Sequence, residues 1–235
     1  MERLKAKVTL TMTTGRRLDL FFRTMDSFLS ACLDQELIQQ WIISDDRSGQ
    51  EELLLMKARY PFLKIYPSPE PGQLNSLIHL FSMVGTRLVL HIEDDWDFRA
   101  GHFIREAQAV MQDDPRIKNV VLRGWDCPLI LSGGHEYNLH AHYSPLDRGL
   151  VNEFREITKI TDCLWPGYSC NPGIQDVQAI LPLLIEARNR KIQDISWEDF
   201  VAQEFLKLGY RRVNLPGGYI THTGGDRTLF KKSWD

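Results

Sequence analysis

The sequence predicts an α/β protein with a mixed, mainly parallel central sheet and helices on both of its faces. Short runs rich in β-branched residues alternate with longer stretches of helical period in the first half of the chain. The stretches between the strands are long enough for right-handed helical crossovers, which join parallel strands. Polar clusters end several of the strand-like runs, at the edge where sheets of this class bind ligands.

The elements follow in order from the N-terminus. Residues 7–14 (KVTLTMTT) predict a first strand, and the next stretch predicts a helix with one apolar stripe, formed by Leu18, Phe21, Phe22, Met25, Phe28, Leu29 and Cys32. The pattern then predicts, in turn, a strand at QWIISDD (40–46), a helix at GQEELLLMKARY (49–60), a strand at FLKIY (62–66), a helix at GQLNSLIHLFSMVG (72–85) and a strand at TRLVLHIEDD (86–95).

The second half is less regular. It predicts a helix at about 100–112, a strand at IKNVVLRGW (117–125), a helix at 174–190 strained or divided at Pro182, a helix at 196–210 that stops at Gly209, and strand-like residues at 211–223. No repeat or low-complexity linker separates these elements. We therefore expect one domain over 1–235, with a nucleotide half at about 1–125 and an acceptor half at about 126–235.

Composition excludes several classes of function. With 28 basic and 31 acidic residues, the chain has a net charge of −3 and lacks the positive field that nucleic-acid binding requires. No stretch reaches the roughly 18 apolar residues of a spanning helix. Four cysteines without paired spacing fit reduced thiols in a cytoplasm better than a zinc site or a disulfide scaffold.

The stretch HIEDDWDF (91–98) concentrates negative charge at the end of a predicted strand. If the backbone stays extended, Glu93 and Asp95 face one side, Asp94 faces the other, and Asp97 rejoins the first pair. Converging carboxylates repel one another unless a pKa rises or a divalent cation binds, and oxygen ligands select magnesium or manganese. The alternative is a solvated acidic turn.

Two segments carry a family resemblance. VLHIEDDWDF (89–98) resembles the DXD-type motif of GT-A glycosyltransferases, which holds a metal bound to a nucleotide-sugar diphosphate. IISDDRSGQEE (42–52) resembles the second-strand segment of that fold, whose acidic residue recognises the nucleotide base, and it falls where glycosyltransferase family 2 enzymes carry a Val-Asp-Asp-Gly-Ser type motif. Both segments are also similar to the inverting N-acetylglucosaminyltransferase of N-glycan processing.

The resemblance implies a UDP- or GDP-sugar donor and a Mn²⁺ or Mg²⁺ cofactor. Asp95 is the leading metal ligand, with Asp97 and His222 as further candidates. Residues expected to contact the donor are Thr13, Arg16, Asp45, Asp46, Asn75, Glu93, Asp94 and Arg227. Arg16 and Arg17 are cations that could contact the phosphate or the base, or lie solvated in a helix-entry turn. Asp45 and Asp46 could form only a turn, His222 could be structural, and the basic tail could be solvated.

The segment WEDF (197–200) resembles the ED motif of family 2, in which a carboxylate acts as catalytic base. We expect Asp199 to be this base, with Glu198 close behind, although Ser196 and Asp199 also match a helix capping box. Trp197, Tyr168 and Asn171 are candidates for acceptor binding, with core packing or a turn as the alternative. The histidines of HEYNLHAH (135–142) lack the further ligands of a zinc site and are expected to lie in a loop.

The sequence thus favours a metal-dependent hexosyltransferase that inverts the anomeric centre of the donor sugar. A nucleotidyltransferase and an inactive carbohydrate-binding protein of the same fold are the alternatives. We expect a glycan or glycolipid acceptor and a cytoplasmic protein, with peripheral contact at the inner membrane surface left open.

Overall fold

A computed structural model describes residues 6–123, 167–192, 196–215 and 218–224. It contains a seven-stranded sheet and a two-stranded sheet. The strands are β1 (Val8–Thr14), β2 (Ile38–Asp45), β3 (Lys64–Pro67), β4 (Leu88–Glu93), β5 (Trp96–Phe98), β6 (Ile117–Val121), β7 (Gly173–Asp176), β8 (Arg211–Asn214) and β9 (Ile220–His222).

Six α-helices lie in the described residues: α1 (Leu18–Ala31), α2 (Gln50–Arg59), α3 (Gln73–Met83), α4 (Phe103–Asp113), α5 (Val177–Asn189) and α6 (Ser196–Lys207). None of these helices combines the length and the apolar content that crossing a bilayer requires.

The large sheet has the strand order β3-β2-β1-β4-β7-β6-β8. All its neighbouring strands pair in parallel except β7, which is antiparallel to both β4 and β6. The order runs outward from β1 through β2 to β3 and then reverses to β4. This reversal places a ligand crevice beyond the carboxyl ends of β1 and β4.

Two hydrophobic clusters cover the two faces of the sheet. Helices α1, α2 and α4 contribute to the cluster on one face, and α3, α5 and α6 contribute to the other. The stripe of α1 buries Phe21, Met25 and Phe28 completely. Because full burial of such a side chain contributes roughly 1.5–3 kcal/mol, this stripe fixes α1 on the sheet. The predicted layers and the predicted stripe are confirmed.

Local differences from the sequence prediction have physical causes. The 174–190 segment divides into β7 and α5, and α5 continues through Pro182. Pro182 has no backbone N–H to donate to the Gln178 carbonyl, but it is exposed, so water can hydrogen-bond that carbonyl instead. The end of α6 is as predicted: Gly209 has φ +73°, and its N–H donates to the Leu206 carbonyl at 2.9 Å.

One predicted strand segment divides between the two sheets, and several residues named in the sequence analysis lie outside the described part of the chain. The 211–223 segment supplies β8 to the large sheet and β9 to the small one. Arg227, the histidines of residues 135–142, Cys127 and Cys163 lie outside the described residues.

Candidate active site

A cavity of about 620 Å³ opens where the carboxyl ends of β1, β2 and β4 meet. Its walls come from turns that follow these strands and from the second half of the chain across the crevice. The lining residues are Thr13, Thr14, Gly15, Arg16, Arg17, Asp46, Arg47, Pro71, Gly72, Gln73, Ser76, Glu93, Asp95, Trp96, Arg123, Cys170, Asn171, Trp197, Glu198 and His222.

The turns after β1 and β2 pack directly against each other. A Cβ atom at Gly15 would lie 2.5 Å from the Asp46 carbonyl oxygen, so only glycine fits there. Arg16 (φ +54°) and Arg47 (φ +69°) both adopt the left-handed region, and the Arg16 N–H donates to Ser48 Oγ at 2.8 Å. Non-glycine residues held in this region cluster at functional sites. Here they allow two strand-end turns to form one wall.

The two aspartates after β2 have different surroundings. Asp45 is buried; its Oδ2 accepts the Ser48 N–H at 3.0 Å, and burial raises its pKa. Asp46 lines the cavity, and its Oδ2 accepts the Gly72 N–H at 3.0 Å. Asp45 therefore stabilises the turn, whereas Asp46 reaches the cavity.

Asp94 is fully enclosed by protein groups. Its side chain is 0% exposed; Oδ2 accepts the Thr14 hydroxyl at 2.7 Å and Oδ1 accepts from Arg17 Nη2. Burial raises the pKa of Asp94 to about 6, although the Arg17 guanidinium opposes the rise. Both oxygens thus have protein partners, and Asp94 does not line the cavity.

Asp95 faces the opposite way, into the cavity. Its Oδ2 accepts from Arg17 Nη1 at 2.9 Å and lies 3.4 Å from His222 Nε2. Burial pushes the pKa of Asp95 up, but His222 and Arg17 hold it below its usual range. A Cβ atom at Gly224 would come within 2.6 Å of Oδ2, so the glycine leaves room for this carboxylate.

Asp95 and His222 form a small donor set for a metal. One carboxylate and one imidazole suit Mg²⁺ or Mn²⁺ when phosphate oxygens and water complete the coordination sphere. Within the described ranges, no group of three or more His, Cys, Asp or Glu side chains could hold a metal ion. The residues therefore fit an ion that arrives with a phosphate ligand.

Glu93 carries the remaining charge at this strand end. Its carboxylate accepts from Gln73 Nε2 and from Trp96 Nε1, the latter at 3.2 Å. Burial, with Asp95 and Glu198 nearby, raises the pKa of Glu93 to about 8. Arg17 thus offsets the charge of Asp94 and Asp95, His222 lies beside Asp95, and burial favours the protonated form of Glu93.

The structure does not bring Asp97 to the cavity. Arg23 holds it on the outer surface, donating from Nε to Oδ1 at 2.9 Å and from Nη2 to Oδ2 at 2.5 Å. The main strand ends at Glu93, and Asp97 lies in β5, which pairs with β9 instead. The backbone therefore does not stay extended through the acidic turn, as the expectation for Asp97 required.

The acids of α6 also diverge. Glu198 lines the cavity, and its Oε1 accepts the Cys170 N–H at 2.9 Å. Burial raises the pKa of Glu198. Asp199 does not line the cavity and accepts from Gln203 Nε2, one turn along the helix, at 2.9 Å. Successive helical residues differ by about 100° in direction, and Asp199 lies one such step beyond Trp197 and Glu198, which both line the cavity.

The candidates for acceptor binding divide in the same way. Trp197, 3% exposed, and Asn171 line the cavity. Tyr168 is completely buried in the core, and its hydroxyl donates to Gln175 Oε1 at 3.3 Å. Among the donor candidates, Thr13 and Arg16 line the cavity, whereas Asn75 donates to the Pro71 carbonyl at 2.9 Å outside the lining.

Several lining residues had no place in the predicted site. The sequence predicted Arg17 only as a cation near phosphate, and no sequence pattern predicted a role for Gln73, Arg47 or Arg123. Arg123 follows β6, which runs parallel to β4 because both are antiparallel to β7. The strand-end rule that identified Asp95 would therefore have identified Arg123, had the direction of β6 been known.

No family model matches the sequence, and no curated protein matches it. Solved structures do match. The mannosyltransferase PcManGT from Pyrobaculum calidifontis, in complex with GDP-Man and Mn²⁺, has a TM-score of 0.57 at 13% identity, covering 94% of this chain and 58% of that chain. S. aureus TarS 1-349 in complex with UDP has a TM-score of 0.55 at 14% identity, covering 91% and 59%.

A structure of S. aureus TarS gives a TM-score of 0.58 at 15% identity, with 92% of this chain and 36% of that chain covered. The fold is that of the GT-A glycosyltransferases. The chain spans between about a third and three fifths of the length of these GT-A neighbours. The similarity confirms the predicted fold class, whereas the likeness to family 2 and to the N-acetylglucosaminyltransferase stays a prediction.

Proposed function

We propose that this protein is a glycosyltransferase that moves a sugar from a nucleotide-diphosphate sugar to an acceptor hydroxyl, with Mn²⁺ or Mg²⁺ and with inversion at the anomeric carbon. The observation that carries the proposal is one cavity lined by Asp46, by the Asp95–His222 pair and by Glu198. Asp46 offers a hydrogen-bond acceptor for the nucleotide base, the Asp95–His222 pair offers ligands for a metal ion, and Glu198 offers a carboxylate for proton transfer.

In this proposal the nucleotide half, about 1–125, binds the donor. Asp46 accepts a hydrogen bond from the UDP or GDP base, since it lines the cavity in the wall formed by the two strand-end turns. Thr13 and Arg16 line the same wall. The GDP-Man and UDP complexes of the structural neighbours support this class of donor.

Asp95 and His222 would hold the divalent ion, together with oxygens of the donor diphosphate. The ion supplies positive charge that stabilises the leaving diphosphate. The presence of Mn²⁺ in the PcManGT complex supports this assignment. The lowered pKa of Asp95 keeps its carboxylate charged at neutral pH, which a ligand for a hard cation requires.

Glu198 is the base in this proposal. As the acceptor oxygen forms its bond to the anomeric carbon, the bond from that carbon to the diphosphate oxygen breaks, and the acceptor hydroxyl proton passes to Glu198. A carboxyl whose pKa is raised by burial is a stronger base than an ordinary glutamate. The Cys170 N–H and the Ser169 side chain both hydrogen-bond the Glu198 carboxylate and fix its position beside the cavity.

The acceptor half, about 126–235, supplies Trp197 and Asn171 beside Glu198. A tryptophan face next to amide and carboxylate groups suits the apolar face and hydroxyls of a sugar ring. We propose a hexose donor and a glycan or glycolipid acceptor, with action in the cytoplasm or at the inner membrane surface.

Donor hydrolysis tests the proposal without knowledge of the acceptor. The protein is incubated with UDP- and GDP-sugars, with and without Mn²⁺, and nucleoside diphosphate release is measured. We expect metal-dependent release that falls at least about 100-fold in Asp95→Ala and stays near the wild-type rate in Asp97→Ala. Formation of pyrophosphate from a nucleoside triphosphate and a sugar 1-phosphate, in a parallel assay, would indicate a nucleotidyltransferase. Donors left intact under all conditions would favour a carbohydrate-binding protein.

A further inference from the structure

The Arg17 guanidinium lies between the two aspartates of the acidic turn. Arg17 precedes α1, and its side chain is only 14% exposed. Nη2 donates to Asp94 and Nη1 donates to Asp95 Oδ2 at 2.9 Å. One arginine therefore neutralises two adjacent carboxylates in a place with little access to water.

The two carboxylates depend on Arg17 to different degrees. Asp94 also accepts the Thr14 hydroxyl, so both of its oxygens are bound by protein. In Asp95, the oxygen bound by Arg17 is Oδ2, which is also the oxygen 3.4 Å from His222. A cation held between Asp95 and His222 would need the oxygen that Arg17 now contacts.

We propose that Arg17 is a positioning residue that makes metal binding depend on the nucleotide, an inference that rests on the proposed function. While the diphosphate is absent, Arg17 covers Asp95 Oδ2 and opposes capture of a divalent ion. When the diphosphate binds, its oxygens give Nη1 another acceptor, and Asp95 turns to the ion.

The exchange follows from the charges of the site. An ion that displaces Arg17 from Asp95 without nucleotide breaks an ion pair in a largely buried position, which is costly. A diphosphate removes that cost because a guanidinium binds phosphate oxygens as well as it binds a carboxylate. Metal and nucleotide therefore raise each other's affinity, as linkage between two ligands requires.

The test measures Mn²⁺ binding by electron paramagnetic resonance (EPR), which detects the signal of the free ion. The wild type, Arg17→Lys and Arg17→Met are each titrated without nucleotide and with UDP or GDP. In the wild type we expect nucleotide to raise the Mn²⁺ affinity at least about tenfold. Arg17→Met should bind Mn²⁺ alone about tenfold more tightly than the wild type and gain less than about threefold from nucleotide. Arg17→Lys keeps the cation and should behave like the wild type.

A double variant separates the contact with Asp95 from net charge and from misfolding. Arg17→Met with Asp94→Asn removes one positive and one negative charge, so the net charge of the turn is unchanged. Asp95 loses Arg17, as the test requires, but keeps its contact with His222. Thermal melting checks that it folds. We expect the double variant to bind Mn²⁺ without nucleotide about tenfold more tightly than the wild type.

The inference is overturned if the double variant binds Mn²⁺ alone as weakly as the wild type and keeps the full gain from nucleotide. It is also overturned, together with the proposed function, if the wild type binds neither UDP nor GDP in the presence of Mn²⁺. Nucleotide binding by the wild type with unchanged metal behaviour in the variants contradicts the role of Arg17 alone.

Discussion

The acidic turn after β4 and the first turn of α6 each combine one acid that lines the cavity with an adjacent acid that does not, and the two adjacent acids have different surroundings. Asp94 is completely buried and bound by Arg17 and Thr14. Asp199 lies on the helix surface and contacts Gln203. We therefore expect Asp94 to be needed for the fold and Asp199 to be dispensable, although their neighbours Asp95 and Glu198 both line the cavity.

The largest expected effect concerns the α6 pair. Glu198→Gln should lower the rate of donor hydrolysis about 10²–10⁴-fold, the usual contribution of a general base, while leaving nucleotide affinity unchanged. Asp199→Asn should retain a rate within about threefold of the wild type, because the hydrogen bond to Gln203 lies outside the cavity. The reverse order of the two rates would make Asp199 the base and contradict the comparison.

In the pair of aspartates after β4, we expect one acid to matter mainly for stability and the other mainly for binding. Asp94→Ala removes one of the two carboxylates that Arg17 binds in a largely buried position and should lower the free energy of unfolding by roughly 3–5 kcal/mol, measured by urea denaturation. Asp95→Ala should cost less stability but weaken Mn²⁺-dependent nucleotide binding more than about tenfold. Equal losses of stability in both variants would remove the distinction between a structural and a cavity-facing acid.

The pair after β2 extends the comparison with a smaller effect. Asp46→Ala removes a charged hydrogen-bond acceptor and should weaken UDP or GDP binding about tenfold, as measured by calorimetry. Asp45→Ala leaves the Ser48 N–H without its acceptor, so we expect a loss of stability of about 1–3 kcal/mol instead. If Asp46→Ala binds both nucleotides as well as the wild type, the base lies elsewhere.

The smallest expected effect is on pH dependence, and it arises from Glu198. Because burial raises its pKa in the folded state, the folded protein holds this proton more tightly than the unfolded chain does. Its favourable contribution is complete below the ordinary glutamate pKa and is lost as the pH rises through the raised value.

Urea denaturation midpoints measured from about pH 4 to pH 8 check this sign, because the range begins near the ordinary glutamate pKa and extends well above it. Glu198→Gln should become more stable relative to the wild type as the pH increases, and donor hydrolysis by the wild type should rise over the same range. A difference in stability that does not change with pH would mean that Glu198 has an ordinary pKa.

Much of the fold could be predicted from hydrophobic periodicity. The apolar residues of α1 recur with the period of a helix that packs on one side. The acidic clusters follow strands whose carboxyl ends meet where the strand order reverses. The division of residues 174–190 into β7 and α5 could not be predicted. Gln175 and Asp176 are polar yet buried, because β7 lies in the middle of the sheet.

The site was predicted less completely than the fold, because the sequence alone does not show which way each side chain points. Alternation along a strand correctly separated Asp94 from Asp95 but failed at Asp97, since β4 ends before it. On α6, choosing between Glu198 and Asp199 required the rotation of the helix, which the burial of Trp197 and Val201 fixes. Arg17 was recognised as a cation, but its partners lie 77 and 78 residues away in the sequence.

The most direct test of the central claim, that Asp95 and His222 hold a divalent ion against the donor diphosphate, is pulsed EPR of Mn²⁺ bound in the presence of UDP or GDP. We expect magnetic coupling from manganese both to ³¹P and to one imidazole ¹⁴N, with loss of the ¹⁴N coupling in His222→Gln and of the whole bound signal in Asp95→Ala. A spectrum with phosphorus coupling but no imidazole coupling, unchanged in both variants, would contradict the account.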